Sequence, residues 1–285
     1  MSASRINPQF NTTGATVPIP TLVPDAPGAV AAQGHSVWVA PSAGLLRRLD
    51  AATGSVQGLR QAVNYAIDRP KLAELGLPFQ PLPGPTADHY LLPGTPGYRA
   101  AHIYPLHPDP ARARRLVASA HARGSTAVLY TVHIAPLPDL AHIIESDLGA
   151  IGIQVRTKTF PDADRLYKHL ATPGEPFDLA IAAWYTNYPD PSQMLNALLD
   201  GSNGLPSFNE PAYQRRLAAA ARLSGPQRYL TYGALDLDLA RNAAPLAAFS
   251  NPSSNDFFSA RIGCQIFGPY GMDLAALCVR GSQHR

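Results

Sequence analysis

The sequence predicts an α/β fold with a mixed, partly parallel sheet flanked by helices, on three observations. An apolar run at 127–132, a helical stripe at 140–151 and an alternating run at 153–160 follow one another as strand, helix, strand. A helical pattern at 164–170 and an apolar run at 177–184 continue the alternation. Two further helical patterns, at 211–223 and 226–242, close the series.

The elements begin late. Residues 1–27 are polar and rich in Pro and Thr, and read as a linker or a disordered start. Residues 28–57 differ. Val30 to Val39 predicts two short strands about Gly34, Leu45 to Leu49 another, and Asp50-Ala-Ala-Thr-Gly54 a turn. This piece resembles a single β-propeller repeat. One such unit cannot bury both of its faces, so it reads as the remnant of a longer array.

From residue 58 the pattern is α/β. Leu59, Val63, Ala66 and Ile67 share one helical face. Asp68 is placed to cap a second helix, with Pro70 tolerated in its first turn. Proline recurs through 78–98, which predicts an extended loop. Asp109-Pro110 is a helix start, with Asp as the cap and Pro in the first helical position. That helix is expected to bury Ala113, Leu116, Val117 and Ala120.

The strand–helix–strand at 127–160 is the clearest unit. Leu140, Ile143, Ile144, Leu148 and Ile151 form the helix stripe, and Gly152 ends it. A crossover of this kind joins parallel strands. Residues 250–285 read as an irregular return segment.

Composition excludes several functions. The chain has 285 residues, 46% of them apolar, and a net charge of +3. Its longest basic runs are the pairs Arg47-Arg48, Arg114-Arg115 and Arg215-Arg216, so no nucleic-acid partner is expected. No stretch approaches the roughly 20 apolar residues that span a bilayer. The N-terminus shows neither the apolar core of a signal peptide nor a lipid-attachment cysteine. No HExxH, GxSxG, Walker A or GxGxxG motif occurs, so no enzyme, metal or cofactor is expected. Asp236 and Asp238 read as solvated charge on different faces of a helix. Cys264 and Cys278 read as two small buried thiols in preference to a disulfide.

Four blocks resemble one family in the right order. Leu59-Arg-Gln-Ala-Val-Asn-Tyr-Ala-Ile-Asp-Arg69 and Asp109-Pro-Ala-Arg-Ala-Arg-Arg-Leu116 are similar to two of its helices. Ile144-Glu-Ser-Asp-Leu-Gly-Ala-Ile-Gly-Ile-Gln-Val155 is similar to its helix-to-strand turn. Phe177-Asp-Leu-Ala-Ile-Ala-Ala-Trp-Tyr-Thr-Asn-Tyr-Pro-Asp-Pro191 resembles its cleft block. The family is that of the family 5 extracellular solute-binding proteins of oligopeptide and dipeptide ABC importers. The resemblance covers about residues 58 to 265 and implies a type II periplasmic-binding-protein-like lobe, 58–285, from the second half of a two-lobed protein.

The resemblance also implies a site. It places Trp184, Tyr185, Asn187 and Tyr188 at a ligand cleft, with an exposed aromatic patch that includes Trp184 and Tyr188. Asn187 stands where the family has an aspartate for the ligand's α-ammonium, and an amide carries no counter-charge. Asp190 is expected to cap the helix that follows. The implied function is the substrate-binding component of an importer, or a truncated part of one. The implied partners are a peptide or small organic solute, ABC permease subunits, and a chain supplying the missing lobe. The implied location is extracytoplasmic. The alternative is a non-transport sensor or interaction module, or an inactive truncated product.

Overall fold

β1 (Thr126–Val132) is the spine of the sheet. In the computed structural model the described residues are 56–76, 83–172, 174–181, 184, 186, 188–200, 208, 210–251, 257–268 and 271–280. β1 pairs in parallel with β2 (Gln154–Phe160) along its whole length, from Thr126↔Gln154 to Val132↔Phe160. On its other side it pairs in parallel with β3 (Leu179–Ala180) at Leu129↔Leu179 and Tyr130↔Ala180. The order is β2–β1–β3.

α4 (Leu137–Gly149) is the crossover from β1 to β2. Leu137, Leu140, Ala141, Ile144 and Leu148 are buried, the three-and-four spacing of one helical face turned to the core. Gly152 has φ 89°, which lets the chain turn there, and the Ile153 amide donates back to the Leu148 carbonyl at 3.0 Å. α5 (Ala163–Leu170) also packs on β1 and β2. Asp162 caps it through the Arg165 amide at 2.8 Å.

β3 is shorter than the run 177–184 predicts. The Asp178 carboxylate accepts the Val128 amide at 2.9 Å, filling with a side chain a rung that a backbone carbonyl would otherwise occupy. The Ile181 amide still donates to Tyr130 O at 2.7 Å.

The N-terminal helices form as their caps dictate. α1 (Val56–Ala66) buries Leu59, Ala62, Val63 and Ala66 against α3 (Pro110–Ser119). α3 in turn buries Ala113 and Val117, and Asp109 caps it at 2.9 Å. Asp68 caps α2 (Arg69–Glu74) through the Lys71 amide. Arg69 is fully buried and, among the described residues, meets no carboxylate in direct contact. It donates to the carbonyls of Asn64 (2.8 Å), Ala87 (3.1 Å), Pro105 (3.2 Å) and Ala248 (2.8 Å) and to Asn64 Oδ1 (2.8 Å). Burial draws its pKa down to about 10. One guanidinium therefore joins the α1–α2 corner, the 83–106 segment and the return chain at 246–250.

α6 (Ser192–Leu199), α7 (Pro211–Ala221) and α8 (Gly225–Asp238) pack together. α8 continues into a π-helical turn, Leu239–Ala243, which ends at Ala244 with φ 47°. The 83–106 segment lies across α8 at backbone distance: a Cβ on Gly233 would stand 2.1 Å from Gly97 O. Only glycine permits this approach.

Two sequence expectations are corrected here. Asp236 is not solvated charge. It is fully buried and accepts from the amides of Tyr90 (2.8 Å) and Leu91 (3.3 Å), with His89 Nδ1 at 2.7 Å. The 83–106 segment covers that face of α8, and helical periodicity alone cannot register a distant loop. Asp238 does face outward and pairs with Arg216. Cys264 and Cys278 are not buried thiols but a disulfide, with Cα atoms 5.4 Å apart. Antiparallel β4 (Ile262–Gly263) and β7 (Cys278–Val279) pair at Gly263↔Cys278, which sets the two cysteines side by side. A second short antiparallel ladder joins β5 (Phe267–Gly268) to β6 (Gly271–Met272).

The expected linker at 1–27 and the strands of the propeller-like repeat lie outside the described residues. The repeat's expected last residues, Val56 and Gln57, belong to α1. Among the described residues no helix is long and apolar enough to cross a membrane.

Candidate functional site: the carboxyl end of the parallel sheet

Ligands of open parallel sheets bind beyond the carboxyl ends of the strands. Here the chain leaves β3 at that end and runs through 181–191 into α6. Trp184 is half-buried against the core, and its indole Nε1 donates to Gln193 O on α6 at 2.8 Å. That bond fixes the ring at one edge while leaving part of its surface outward. Thr186 is buried, and Tyr188 is 51% exposed. Aromatic surface of this kind suits stacking on organic side chains. Tyr185 and Asn187 lie outside the described residues, so two of the four expected site residues have a place in the structure.

The floor of this segment is an ion pair. Asp190 Oδ1 accepts the Ser192 amide at 2.9 Å and Ser192 Oγ at 2.6 Å, taking up the first amide of α6 from two residues before the helix starts, while Pro191 holds the cap position. Arg228 on α8 closes on the same carboxylate, Nε to Oδ2 at 2.8 Å and Nη2 to Oδ1 at 2.6 Å. Burial works against the Asp190 charge, but the bonds from Arg228 and Ser192 outweigh it and hold the carboxyl below its usual range. Arg228 Nη1 also donates to Ala221 O at 2.8 Å, at the end of α7. Tyr188 lies within the field of Arg228. Asp190 is thus already neutralised by the protein itself.

A second polar cluster stands near the same strand ends, and sequence reasoning missed it. Tyr130 and Lys158 face each other in register. The Tyr130 hydroxyl donates to Glu175 Oε1 at 2.7 Å, and Lys158 Nζ donates to that hydroxyl at 3.1 Å. Lys158 also lies over the Tyr130 ring at 4.5 Å, while His169 Nδ1 stands 2.8 Å from Glu175. Burial works against ionisation of Glu175, but its three partners hold its carboxyl below the usual value. The available signal was that a parallel pairing with β1 starting near Thr126 sets Tyr130 beside Lys158. Among the described residues no group of three or more His, Cys, Asp or Glu side chains could hold a metal ion.

The family described as bacterial extracellular solute-binding proteins, family 5 Middle, matches residues 51–205. No curated protein was found to match the chain. Among solved structures, HbpA2 from Haemophilus parasuis is similar at 19% identity with a TM-score of 0.65, over 87% of this chain and 49% of that one. The Escherichia coli murein tripeptide binding protein MppA is similar at 19% identity and 0.64, over 86% and 50%. A dipeptide binding protein from Pseudoalteromonas sp. SM9913, in complex with Met-Leu, is similar at 18% and 0.63, over 88% and 49%. Likeness at this identity fixes the fold, that of a type II periplasmic-binding-protein-like lobe. The chain spans about half the length of these structures. The family match extends over more than half of the chain, and the chain belongs to the bacterial extracellular solute-binding proteins, family 5.

Proposed function

We propose that this chain is the ligand-binding lobe, or a truncated part, of an extracytoplasmic solute-binding protein that serves an ABC importer of peptides or similar organic solutes. The observation that carries the reading is the half-buried Trp184 and exposed Tyr188 at the carboxyl end of a parallel sheet, in a chain of this family. Similar structures include a dipeptide binding protein holding Met-Leu and a murein tripeptide binding protein, which supports short peptides as the solute class. The lobe comprises 58–285, and Trp184, Tyr185, Asn187 and Tyr188 form its cleft wall. Its partners are a solute, ABC permease subunits and a chain supplying the other lobe. It is not an enzyme.

The test is fluorescence. The chain has two tryptophans, so Trp38→Phe leaves Trp184 as the reporter. Titration with dipeptides and tripeptides is expected to shift its emission saturably, and Tyr188→Ala to weaken binding. No emission change with any peptide, alone or with a second lobe added, would sink the proposal.

A further inference from the structure

A cavity of about 130 Å3 opens between the 83–106 segment and the return chain at Asn251. None of Trp184, Thr186, Tyr188 or Asp190 lines it. Leu91 and Leu106 give it apolar wall, and Asp88, His89 and Tyr98 bring polar atoms to it. Its volume takes a short alkyl chain with a polar head, since an apolar cavity of roughly 150 Å3 takes a benzene ring.

Asp88 has one carboxylate oxygen unused. The residue is only 8% exposed, and its Oδ2 accepts the amides of Ile103 and, at 2.9 Å, Tyr104. Oδ1 has no hydrogen-bond partner among the described residues, yet it is not among their fully buried unpartnered atoms, so it is open to the cavity. Arg69 feels the Asp88 charge, but its donors are spent on four carbonyls and Asn64 Oδ1. Among the described residues no lysine or arginine lines the cavity.

His89 adds a second acceptor. Its Nδ1 stands 2.7 Å from Asp236 Oδ2, and Asp236 also takes the Tyr90 and Leu91 amides. A carboxylate only accepts, so Nδ1 carries the hydrogen, and the neutral ring keeps its lone pair at Nε2. Nε2 has no partner among the described residues and is not among their fully buried unpartnered atoms. The Tyr98 ring stacks on the imidazole with centroids 5.3 Å apart, which fixes its orientation. Burial lowers the His89 pKa and Arg241 adds to that, but the bond to Asp236 and the charges of Asp236 and Asp88 outweigh them and raise it above its usual value. Alkaline solution therefore frees the lone pair.

A ligand here must donate. A carboxylate oxygen and a ring nitrogen both accept, and the first is charged. A primary ammonium offers three N–H donors and the matching charge, and charge-assisted bonds of this kind are the strong ones. An anion would meet Asp88 in the same wall.

We propose that this cavity is a subsite for a short-chain primary alkylammonium, its N–H groups donating to Asp88 Oδ1 and His89 Nε2 and its chain lying against Leu91 and Leu106. The subsite is independent of solute binding at Trp184.

The experiment is nitrogen NMR of the full chain, 15N-labelled at histidine, near pH 9. Propylammonium chloride is titrated against sodium chloride and sodium propionate at equal ionic strength. The free chain is expected to show His89 Nε2 as an unprotonated ring nitrogen, and propylammonium to shift it saturably. Asp88→Asn keeps an acceptor for the Ile103 and Tyr104 amides and removes the charge, and is expected to weaken binding about tenfold or more. Should that variant fail to fold, Leu106→Trp decides: it fills the cavity from its half-exposed rim and is expected to abolish binding with the melting temperature little changed. An Nε2 still protonated near pH 9, a shift no larger than with sodium chloride, an equal saturable shift with propionate, or propylammonium binding unchanged in either variant each overturn the proposal.

Discussion

Arg228 grips Asp190 with two near-parallel bonds, Nε to Oδ2 at 2.8 Å and Nη2 to Oδ1 at 2.6 Å, and the pair spans the start of α6 and the end of α7. A lysine offers a point charge in place of that planar fork. Arg228→Lys is expected to lower stability by about 1–2 kcal/mol, read as an earlier urea midpoint at unchanged slope. An unchanged midpoint would show that the pair contributes nothing. Because the Asp190 pKa is depressed in the folded chain, its contribution is present at neutral pH and lost as pH falls through that depressed value. The difference between wild type and Arg228→Lys should shrink accordingly on acidification.

Arg69 presents its donors to four carbonyls and one side-chain amide oxygen inside the core. Lysine can satisfy at most three acceptors, and its shorter reach strands the rest. Arg69→Lys is expected to cost about 3 kcal/mol or more. A loss under about 1 kcal/mol in denaturant titration would mean that water replaces the guanidinium.

Asp147 accepts the Asp68 amide at 2.8 Å, yet its pKa is pushed up to about 6. Burial is the main cause, and the Asp68 charge adds to it. The folded chain therefore holds this proton more tightly than the unfolded chain. Its effect is a gain in stability as pH falls from 7 toward 4, lost again as pH rises through about 6. Asp147→Asn keeps the acceptor and removes the charge. It is expected to flatten that pH dependence and add about 1 kcal/mol at neutral pH, a figure reduced for partial solvent screening. Parallel melting curves for the two proteins from pH 4.5 to 7.5 would count against the assignment.

Gly233 sits in the interior of α8, where alanine normally improves a helix by up to about 1 kcal/mol. Here the sign reverses, because the added carbon meets Gly97 O at 2.1 Å. Gly233→Ala is expected to cost about 2 kcal/mol or more. Gly149, at the end of α4, has open space around it, so Gly149→Ala serves as the control and is expected to be neutral or mildly stabilising. Equal melting temperatures for the two variants would refute the close approach.

Asn187→Asp places a negative charge at the position that the sequence resemblance sets against the family's amine-binding aspartate. If the cleft wall is as proposed, this variant binds peptides with a free α-amine about tenfold more tightly, and N-acetylated peptides no better. Calorimetry with both peptide types separates an amine contact from a general change in the cleft.

Local chemistry was legible in the sequence. Asp68, Asp109 and the stripe of α4 announced their helices, because caps and periodicity depend on neighbours a few residues away. Relations between distant residues were not. Asp236 meets an amide 146 positions away, and nothing in the pattern of α8 reports that cover. The disulfide required a register between two-residue strands that are too short to show alternation. At the candidate site the sequence offered Trp184 and Tyr188 as aromatic surface, but the bond from Trp184 to Gln193 was not legible, because it depends on where α6 turns back. Tyr130 and Lys158 could have been joined from the pairing of β1 with β2, the one long-range relation the sequence implies strongly.

The bonds of Arg69 have a consequence for biosynthesis. The chain emerges N-terminus first, so α1, α2 and the strand–helix–strand unit are complete before Ala248, which lies 179 positions beyond Arg69, leaves the ribosome. Until then the guanidinium lacks one of its acceptors, and the α1–α2 corner is expected to stay loosely held. Consolidation of the lobe is thus expected to wait until the return chain at 246–250 has been made. A nascent chain stalled before residue 246 should be cut readily near 64–69 by a protease, and one released after 251 should resist.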